Sequence, residues 1–126
     1  MTVVQGWSGG KSFQVSGEGY TPLGTFSDFN GKELKPLEAG PVNFLLHGAL
    51  LCSDARLEKS GLDNGEITWR MVGDPTEGAL VVAAEKAGLD PETVNQKYRR
   101  VQELPFDSER KRMLTIHEVP QANELG

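Results

Sequence analysis

The residues best suited to chemistry lie in the segment Pro-Phe-Asp-Ser-Glu-Arg-Lys-Arg-Met, which covers 105–113. Phe106 and Lys111 are separated by four polar residues, which predicts a hairpin loop flanked by these two side chains as a cross-strand pair. A ring beside a flexible cation suits a nucleotide, because the base stacks on the ring while the ammonium reaches base edges or phosphate oxygens. The residues alone leave open a surface hairpin with a cation–π pair and solvated charges.

A second group of special residues, Gly-Asp-Pro-Thr-Glu-Gly-Ala-Leu at 73–80, predicts a sharply defined helix start. Asp74 can accept hydrogen bonds from the free N–H groups of the first turn, and the proline after it presets φ for a helix. Glu77 stands where it would complete a capping box. Gly73 and Gly78 allow tight turning and a close approach to a neighbouring strand. Taken alone, this segment is explained by structure without any ligand.

The segment 5–12 nearly spells a phosphate-binding loop, but two features argue against one. Gln5 stands where the motif requires its first glycine. The residues after Ser12 lead into Gly17 rather than into a helix whose N-terminus could meet phosphates. This segment is therefore predicted to be a hairpin turn.

The composition predicts one globular domain spanning 1–126, with 37% hydrophobic and 25% charged residues. A formal net charge of −5 argues against nucleic acid as a partner. No apolar run approaches the roughly 20 residues that cross a bilayer. Cys52 is the single cysteine, so an internal disulfide is excluded. His47 and His117 are predicted to be packed or half-exposed residues rather than metal ligands. Cys52 is predicted to be a small core residue rather than a nucleophile, because no histidine is adjacent.

Strand and helix signals predict an α+β domain: an antiparallel β-sheet built from hairpins, with two to three flanking helices. Strands are expected at 2–7, 12–15, 24–26, 56–59, 67–72, 101–106 and 112–119, with an Asn-Gly turn at 63–65. Helices are expected to begin at Pro41, Pro75 and Pro91. In the first helix, Val42, Leu45, Leu46, Ala49 and Leu50 are expected to form one buried stripe.

In their order and spacing, these motifs resemble the nucleotide-binding domain of P-type cation-transporting ATPases, most of all the bacterial calcium-pump-like group. Residues 1–4 are similar to a strand that soon follows the family's Asp-Lys-Thr-Gly-Thr motif, and 51–54 to its Leu-Cys-Asn-Asp stretch. Residues 73–80 are similar to its Gly-Asp-Pro-Thr-Glu-Gly-Ala-Leu helix start, and 106–113 to its Phe-x-Ser-x-Arg-Lys-x-Met hairpin.

The resemblance implies that Phe106 stacks on adenine and that Lys111 lines the same pocket, with ATP and its Mg²⁺ as cofactors. An acidic residue that contacts the base in related pumps falls near 58–61, where Gly61 holds the matching place and Glu58 is the nearest substitute. The resemblance assigns the shaping of the pocket to a further set: Gly73, Asp74, Thr76, Glu77, Ser108, Arg110 and Met113.

The family's phosphorylated aspartate would precede Met1, and its Lys-Gly-Ala-Pro segment would follow Gly126. The resemblance therefore implies an excised, C-terminally incomplete piece of a pump, cytoplasmic in location, with no catalytic residue of its own. It would hold ATP by the base and present the γ-phosphate to an aspartate on another domain, driving cation transport. The partners implied are ATP, the phosphorylation and actuator domains of the same polypeptide, and a transmembrane domain.

An alternative from another class remains open: a non-catalytic interaction module that docks an acidic partner through the hairpin tip at 107–112. This alternative predicts salt-sensitive protein binding, lost when Arg110, Lys111 and Arg112 are neutralised. Replacement of Phe106 by alanine would leave such binding unchanged.

Overall fold

The computed structural model describes residues 1–17, 19–63 and 66–120. Within these residues, seven strands and three helices form, with the strands arranged in hairpins, so the predicted α+β class is confirmed. The strands are β1 (Gln5–Ser8), β2 (Lys11–Val15), β3 (Phe26–Ser27), β4 (Arg56–Asp63), β5 (Glu66–Val72), β6 (Arg100–Asp107) and β7 (Arg112–His117). The helices are α1 (Gly40–Leu51), α2 (Pro75–Lys86) and α3 (Pro91–Lys97), and a 3₁₀ turn covers Pro36–Glu38.

The strands form three separate antiparallel sheets, β1-β2-β3, β4-β5 and β6-β7. Segment 5–12 is the hairpin β1–β2 that was predicted instead of a phosphate-binding loop. Gly9 and Gly10 close it with φ values of 57° and 84°, a backbone region that favours glycine. The Asn-Gly part of the turn predicted between β4 and β5 lies outside the described residues.

The core lies between α1 and α2, and α2 faces two apolar clusters at once. One cluster joins α2 to the ends of α1 and α3, and its buried members are Leu50, Leu51, Ala55, Val81, Ala84, Val94 and Tyr98. The other joins α2 to the first sheet, and its buried members are Phe13, Val15, Phe26, Val42, Leu46 and Ala83. Because alanines provide much of the inward face of α2, the two long helices can pack closely.

The predicted stripe on α1 is only partly correct. Val42, Leu46 and Leu50 are buried, as their spacing of four residues requires. Leu45 is 39% exposed, and its prediction as a buried residue was wrong. Leu45 lies about 100° round the helix from Leu46, so it stands at the edge of the buried face.

The β6–β7 hairpin is far more open than the first sheet. No residue of β6 or β7 is buried, and apolar side chains such as Leu104, Leu114 and Ile116 are exposed on it. The hairpin therefore gains little orientation from apolar packing. Among the described residues, no helix has both the length and the apolar character required to cross a bilayer.

Candidate functional site

The tip of the β6–β7 hairpin is closed by Asp107 paired with Arg112, and the register shifts between Leu104 and Asp107. The prediction that Phe106 and Lys111 form the closing cross-strand pair was therefore wrong, because each member of the closing pair lies one residue further along the chain. The Asp107 side chain accounts for the difference, because its Oδ1 accepts a hydrogen bond from the Glu109 N–H at 2.8 Å. This turn, begun by a carboxylate, starts the loop one residue later than the spacing alone indicates.

Phe106 is 65% exposed, and its ring is open to solvent. Lysine ammonium groups lie over the rings of Trp69 and Tyr98, but among the described residues none lies over Phe106. The cation–π pair that the sequence left open is thus not formed. A large ring that is exposed and unstacked can receive a planar ligand without first displacing a protein partner.

Lys111 ends the loop in a left-handed conformation with φ 56°, and its N–H donates to the Asp107 carbonyl at 2.6 Å. Among the described residues, Lys111 is the one non-glycine with positive φ. A residue with a Cβ pays roughly 1–2 kcal/mol for this conformation, which glycine and asparagine adopt more readily. Strained residues of this kind are often found at ligand-binding sites.

Arg110 braces the tip from within. Its Nη2 donates to the Pro105 carbonyl at 3.0 Å, and its Nε lies 3.8 Å from Asp107 Oδ2. The charge of Arg110 is thus partly paired, whereas the side chain of Lys111 makes no hydrogen bond or ion pair within the described residues. Ser108 is exposed in the loop. Lys111 therefore supplies the free positive charge of the loop.

Met113 lies half-buried on β7 and lines two cavities. The larger has a volume of about 260 Å³ and lies between β7 and the exposed face of α1, where Phe44 and Cys52 also line it. The smaller, of about 150 Å³, is bordered by Leu104 and Arg110. Met113 thus lies beside open space near the hairpin tip.

The start of α2 is capped as predicted, with one exception. Asp74 Oδ1 accepts hydrogen bonds from the N–H groups of Thr76 at 2.8 Å and Glu77 at 3.2 Å. The capping box is not formed, because Glu77 Oε1 accepts instead from the N–H of Asp54 at 2.6 Å. Glu77 therefore ties the helix start to the segment that follows α1, a partner 23 residues away in the chain.

The two glycines of this segment are positioned for close approach. Gly73 has φ 113°, and a Cβ on it would lie 3.0 Å from Ala55 Cα. A Cβ on Gly78 would lie 2.6 Å from Met71 Sδ on β5. The predicted close approach of the helix to a strand is confirmed at Gly78.

Glu58 on β4 is held by two arginines. Its Oε1 accepts from Arg56 Nε at 3.0 Å, and its Oε2 accepts from Arg70 Nη2 at 2.8 Å. These hydrogen bonds, the one from Arg70 first, hold the pKa of Glu58 below its ordinary value of 4.5. Each oxygen keeps a further acceptor position, so the carboxylate can still meet a base amine.

The Arg70→Gln replacement is expected to raise the pKa of Glu58 toward 4.5, and by more than Arg56→Gln does. Because folding lowers this pKa, the contact stabilises the folded chain above pH 4.5 and is lost as the pH falls through the lower, folded value. Carboxyl-detected NMR titration of the three proteins measures the shift. An identical Glu58 pKa in all three proteins would contradict the hydrogen bonds from Arg56 and Arg70 to Glu58.

The two histidines are half-exposed, one of the two environments predicted for them. His47 Nδ1 lies 2.9 Å from the Asn43 carbonyl, and its ring meets that of Tyr98 edge-on. His117 Nδ1 lies 2.8 Å from the Tyr98 carbonyl, and its Nε2 lies 2.9 Å from Thr115 Oγ1. Within the described residues, no three His, Cys, Asp or Glu side chains converge where they could hold a metal ion.

Sequence reasoning missed one residue of this region, Arg100 at the start of β6. Its guanidinium donates to Asp54 and Glu103 side chains and to the carbonyl of Leu51. The partners Asp54 and Leu51 lie 46 and 49 residues away, and no local spacing signals such contacts. The segment 51–54, selected by its resemblance to a family motif, is where these long-range bonds meet.

Comparisons of this chain with a family model and with individual proteins agree on one family. The family model described as "P-type ATPase, cytoplasmic domain N" matches residues 42–125. The chain is 45% identical over 118 residues to a calcium-transporting ATPase of Bacillus subtilis, covering 94% of this chain and 13% of that protein. It is 38% identical over 122 residues to the cation-transporting ATPase pma1 of a Synechocystis species, covering 94% and 13%. It is 37% identical over 87 residues to calcium-transporting ATPase 1 of Lactococcus lactis, covering 69% and 9%.

The fold and the site define an α+β domain whose exposed hairpin carries an open aromatic ring and a lysine in a left-handed conformation, with no side-chain partner among the described residues. The chain belongs to the P-type ATPases, and the part of that family it matches is the cytoplasmic domain N. It spans about an eighth of the length of the first two relatives, at 13% each.

Proposed function

We propose that this chain is the ATP-binding part of a cation-transporting P-type ATPase at the cytoplasmic face of a membrane. The observation that carries the proposal is the exposed, unstacked ring of Phe106 on the same hairpin tip as the ammonium of Lys111, which has no partner within the described part of the chain. Phe106 stacks on the adenine, and Lys111 contacts the same nucleotide. Glu58 offers its remaining acceptor positions to the base, and Met113 lines the space beside it.

In this proposal the chain positions the nucleotide, and the chemistry takes place elsewhere. The sequence contains no Asp-Lys-Thr-Gly-Thr motif, so the γ-phosphate is presented to an aspartate on a phosphorylation domain. Such a transfer depends on positioning and electrostatics. This chain therefore contributes by holding the base so that the phosphates project outward. The actuator and transmembrane domains complete the pump, whose cargo is a cation, with calcium the ion named for two of the relatives.

Mg²⁺ enters with the nucleotide. Within the described residues, no cluster of three acidic, His or Cys side chains could hold it. Mg²⁺ neutralises phosphate charge when it is bound. The chain's own contribution remains stacking by Phe106 and charge from Lys111.

The expected affinity is low. One stacked base contributes about 1–3 kcal/mol, and a partly exposed lysine contact adds about 1–2 kcal/mol. A total near 4 kcal/mol corresponds to a Kd of roughly 1 mM. Weak binding is compatible with a pump, because abundant ATP fills the site and release stays fast.

The Lys111→Asn variant tests the proposal, because asparagine tolerates the left-handed conformation while it removes the charge. We expect its stability to be unchanged or higher by up to about 1 kcal/mol, since strain is relieved. We expect ATP to bind about 5- to 30-fold more weakly, the equivalent of the lost lysine contact. Amide NMR titration with ATP measures the affinity, and thermal unfolding measures the stability.

Lys32→Asn is the matched control, because it removes the same charge from another exposed loop. It should leave the ATP titration unchanged, and Lys111→Arg should retain most of the affinity. If the wild-type amide signals around Phe106 and Lys111 do not move at tens of millimolar ATP, the proposed function is wrong. If Lys111→Asn binds ATP as wild type does, Lys111 has no part in it.

A further inference from the structure

Arg100 lies at the junction of the hairpin and the helices, and it makes three short contacts from a side chain that is only 24% exposed. Its Nη1 donates to Asp54 Oδ1 at 2.8 Å and to Glu103 Oε2 at 2.9 Å. Its Nη2 donates to the Leu51 carbonyl at 2.9 Å. Bonds from a charged donor to carboxylates are among the stronger hydrogen bonds in proteins.

These contacts join elements that are distant in sequence. Leu51 is the last residue of α1, and its carbonyl belongs to the helix end that attracts a cation. The N–H of Asp54 also donates to Glu77 Oε1 at 2.6 Å. Glu77 lies in the first turn of α2. A continuous path of hydrogen bonds therefore runs from the start of α2, through Asp54, to Arg100 at the start of β6.

The hairpin needs such a link. No residue of β6 or β7 is buried, so apolar packing does little to fix its direction relative to α1 and α2. The planar guanidinium is suited to this task, since its donors point in fixed directions and bind several acceptors at once. Its partners come from α1, from the segment after α1, and from β6 itself.

We propose that Arg100 is the positioning residue that sets the angle of the β6–β7 hairpin against the helices, and thereby the placement of Phe106 and Lys111. This inference rests on the proposed nucleotide site for its functional consequence, but not for its structural one. Arg100 itself does not touch the nucleotide. It acts through the hairpin, and Asp54 and Glu77 extend its hold to the start of α2.

The experiment compares Arg100→Gln with Arg99→Gln in the full 126-residue chain. The adjacent Arg99 makes an ion pair with Glu118 at 3.0 Å in which both side chains are more than half exposed, so its removal takes away the same charge at little structural cost. Residual dipolar couplings of the backbone N–H groups, measured without ATP, report the hairpin direction. ATP titration and the ring-current shift of the adenine protons report the placement of Phe106.

In Arg100→Gln, we expect the β6–β7 couplings to depart from the alignment frame of α1 and α2, while the cross-strand contacts of the hairpin persist. We expect ATP to bind about three- to tenfold more weakly, with a smaller adenine ring-current shift at saturation. Arg99→Gln should match wild type in each measurement. Arg100→Lys keeps the charge but lacks the planar guanidinium, so its couplings and ATP affinity should lie between those of Arg100→Gln and wild type. It replaces Arg100→Gln in the experiment if that variant does not fold.

Unchanged couplings in Arg100→Gln, or in Arg100→Lys if that variant is the one measured, would overturn this inference whatever happens to ATP binding. If the wild-type chain does not bind ATP, the proposed function is wrong. The residual dipolar couplings would still decide whether Arg100 sets the hairpin direction. Changed couplings with an unchanged ATP affinity would also overturn it, because the hairpin angle would then not place the two site residues.

Discussion

Replacing Phe106 by alanine is expected to reduce the amide NMR response of the chain to ATP to about a third of its wild-type size or less, at concentrations where wild type is half saturated. The ring is 65% exposed, so the fold loses little when it is removed. The nucleotide loses its stacking platform, a loss of about 1–3 kcal/mol or roughly 5- to 150-fold in affinity. A titration of amide signals with ATP up to tens of millimolar, together with thermal unfolding, measures both effects.

Phe29→Ala is the control, because Phe29 is 54% exposed and lies far along the chain from the hairpin. It should leave ATP binding unchanged. Phe106→Trp should retain binding, since a larger ring still stacks. ATP affinity that survives Phe106→Ala would contradict the stacking role.

The same variant separates the proposed function from an interaction module with an acidic partner. A module acting through its basic loop would keep its partner in Phe106→Ala and lose it when Arg110, Lys111 and Arg112 are neutralised. The structure weakens the charge available to such a module, because Arg110 is turned toward Asp107 and the Pro105 carbonyl. Binding of ATP that depends on both Phe106 and Lys111 is the result that the nucleotide site requires.

Local signals in the sequence predicted most of the fold, since they depend on bonds between near neighbours. The cap at Asp74 spans two and three residues, and the hairpin β1–β2 follows from adjacent glycines. These contacts form in the same way wherever the segment lies, so residue type and spacing are sufficient to predict them.

Two of the failures concern contacts that only the folded chain creates, and a third is local. Glu77 has the right spacing for a capping box, but the N–H of Asp54, brought near by the packing of α1 on α2, receives its carboxylate instead. The sequence gives no signal for the long-range contacts of Arg100, because two of its three acceptors, Asp54 and the Leu51 carbonyl, lie 46 and 49 residues away. At the hairpin tip, one carboxylate at Asp107 shifted the register, a competition between two turn geometries that spacing does not resolve.

The Gly73→Ala replacement is expected to destabilise the chain by roughly 2–4 kcal/mol, because two costs add at this position. Gly73 has φ 113°, a conformation that a residue with a Cβ rarely adopts. The new Cβ would also lie 3.0 Å from Ala55 Cα and 3.2 Å from Ala55 Cβ, and Ala55 belongs to the buried core. Since Cα is a backbone atom, the contact cannot be relieved by turning a side chain. Thermal unfolding should show a fall in Tm of about 10 °C.

Gly10→Ala separates these two costs. Gly10 has φ 84°, but a Cβ there would meet nothing within 4 Å, so this variant carries the conformational cost alone, roughly 1–2 kcal/mol. The stability that Gly73→Ala loses beyond the loss in Gly10→Ala then measures the close approach of the 73–74 corner to Ala55. If the two variants were equally stable, the corner would move away freely, and Gly73 would be required for its φ alone. An excess of 1 kcal/mol or more would mean that the corner is fixed against the core, which keeps Asp74 and Glu77 in place to hold Asp54 and the hairpin beyond it.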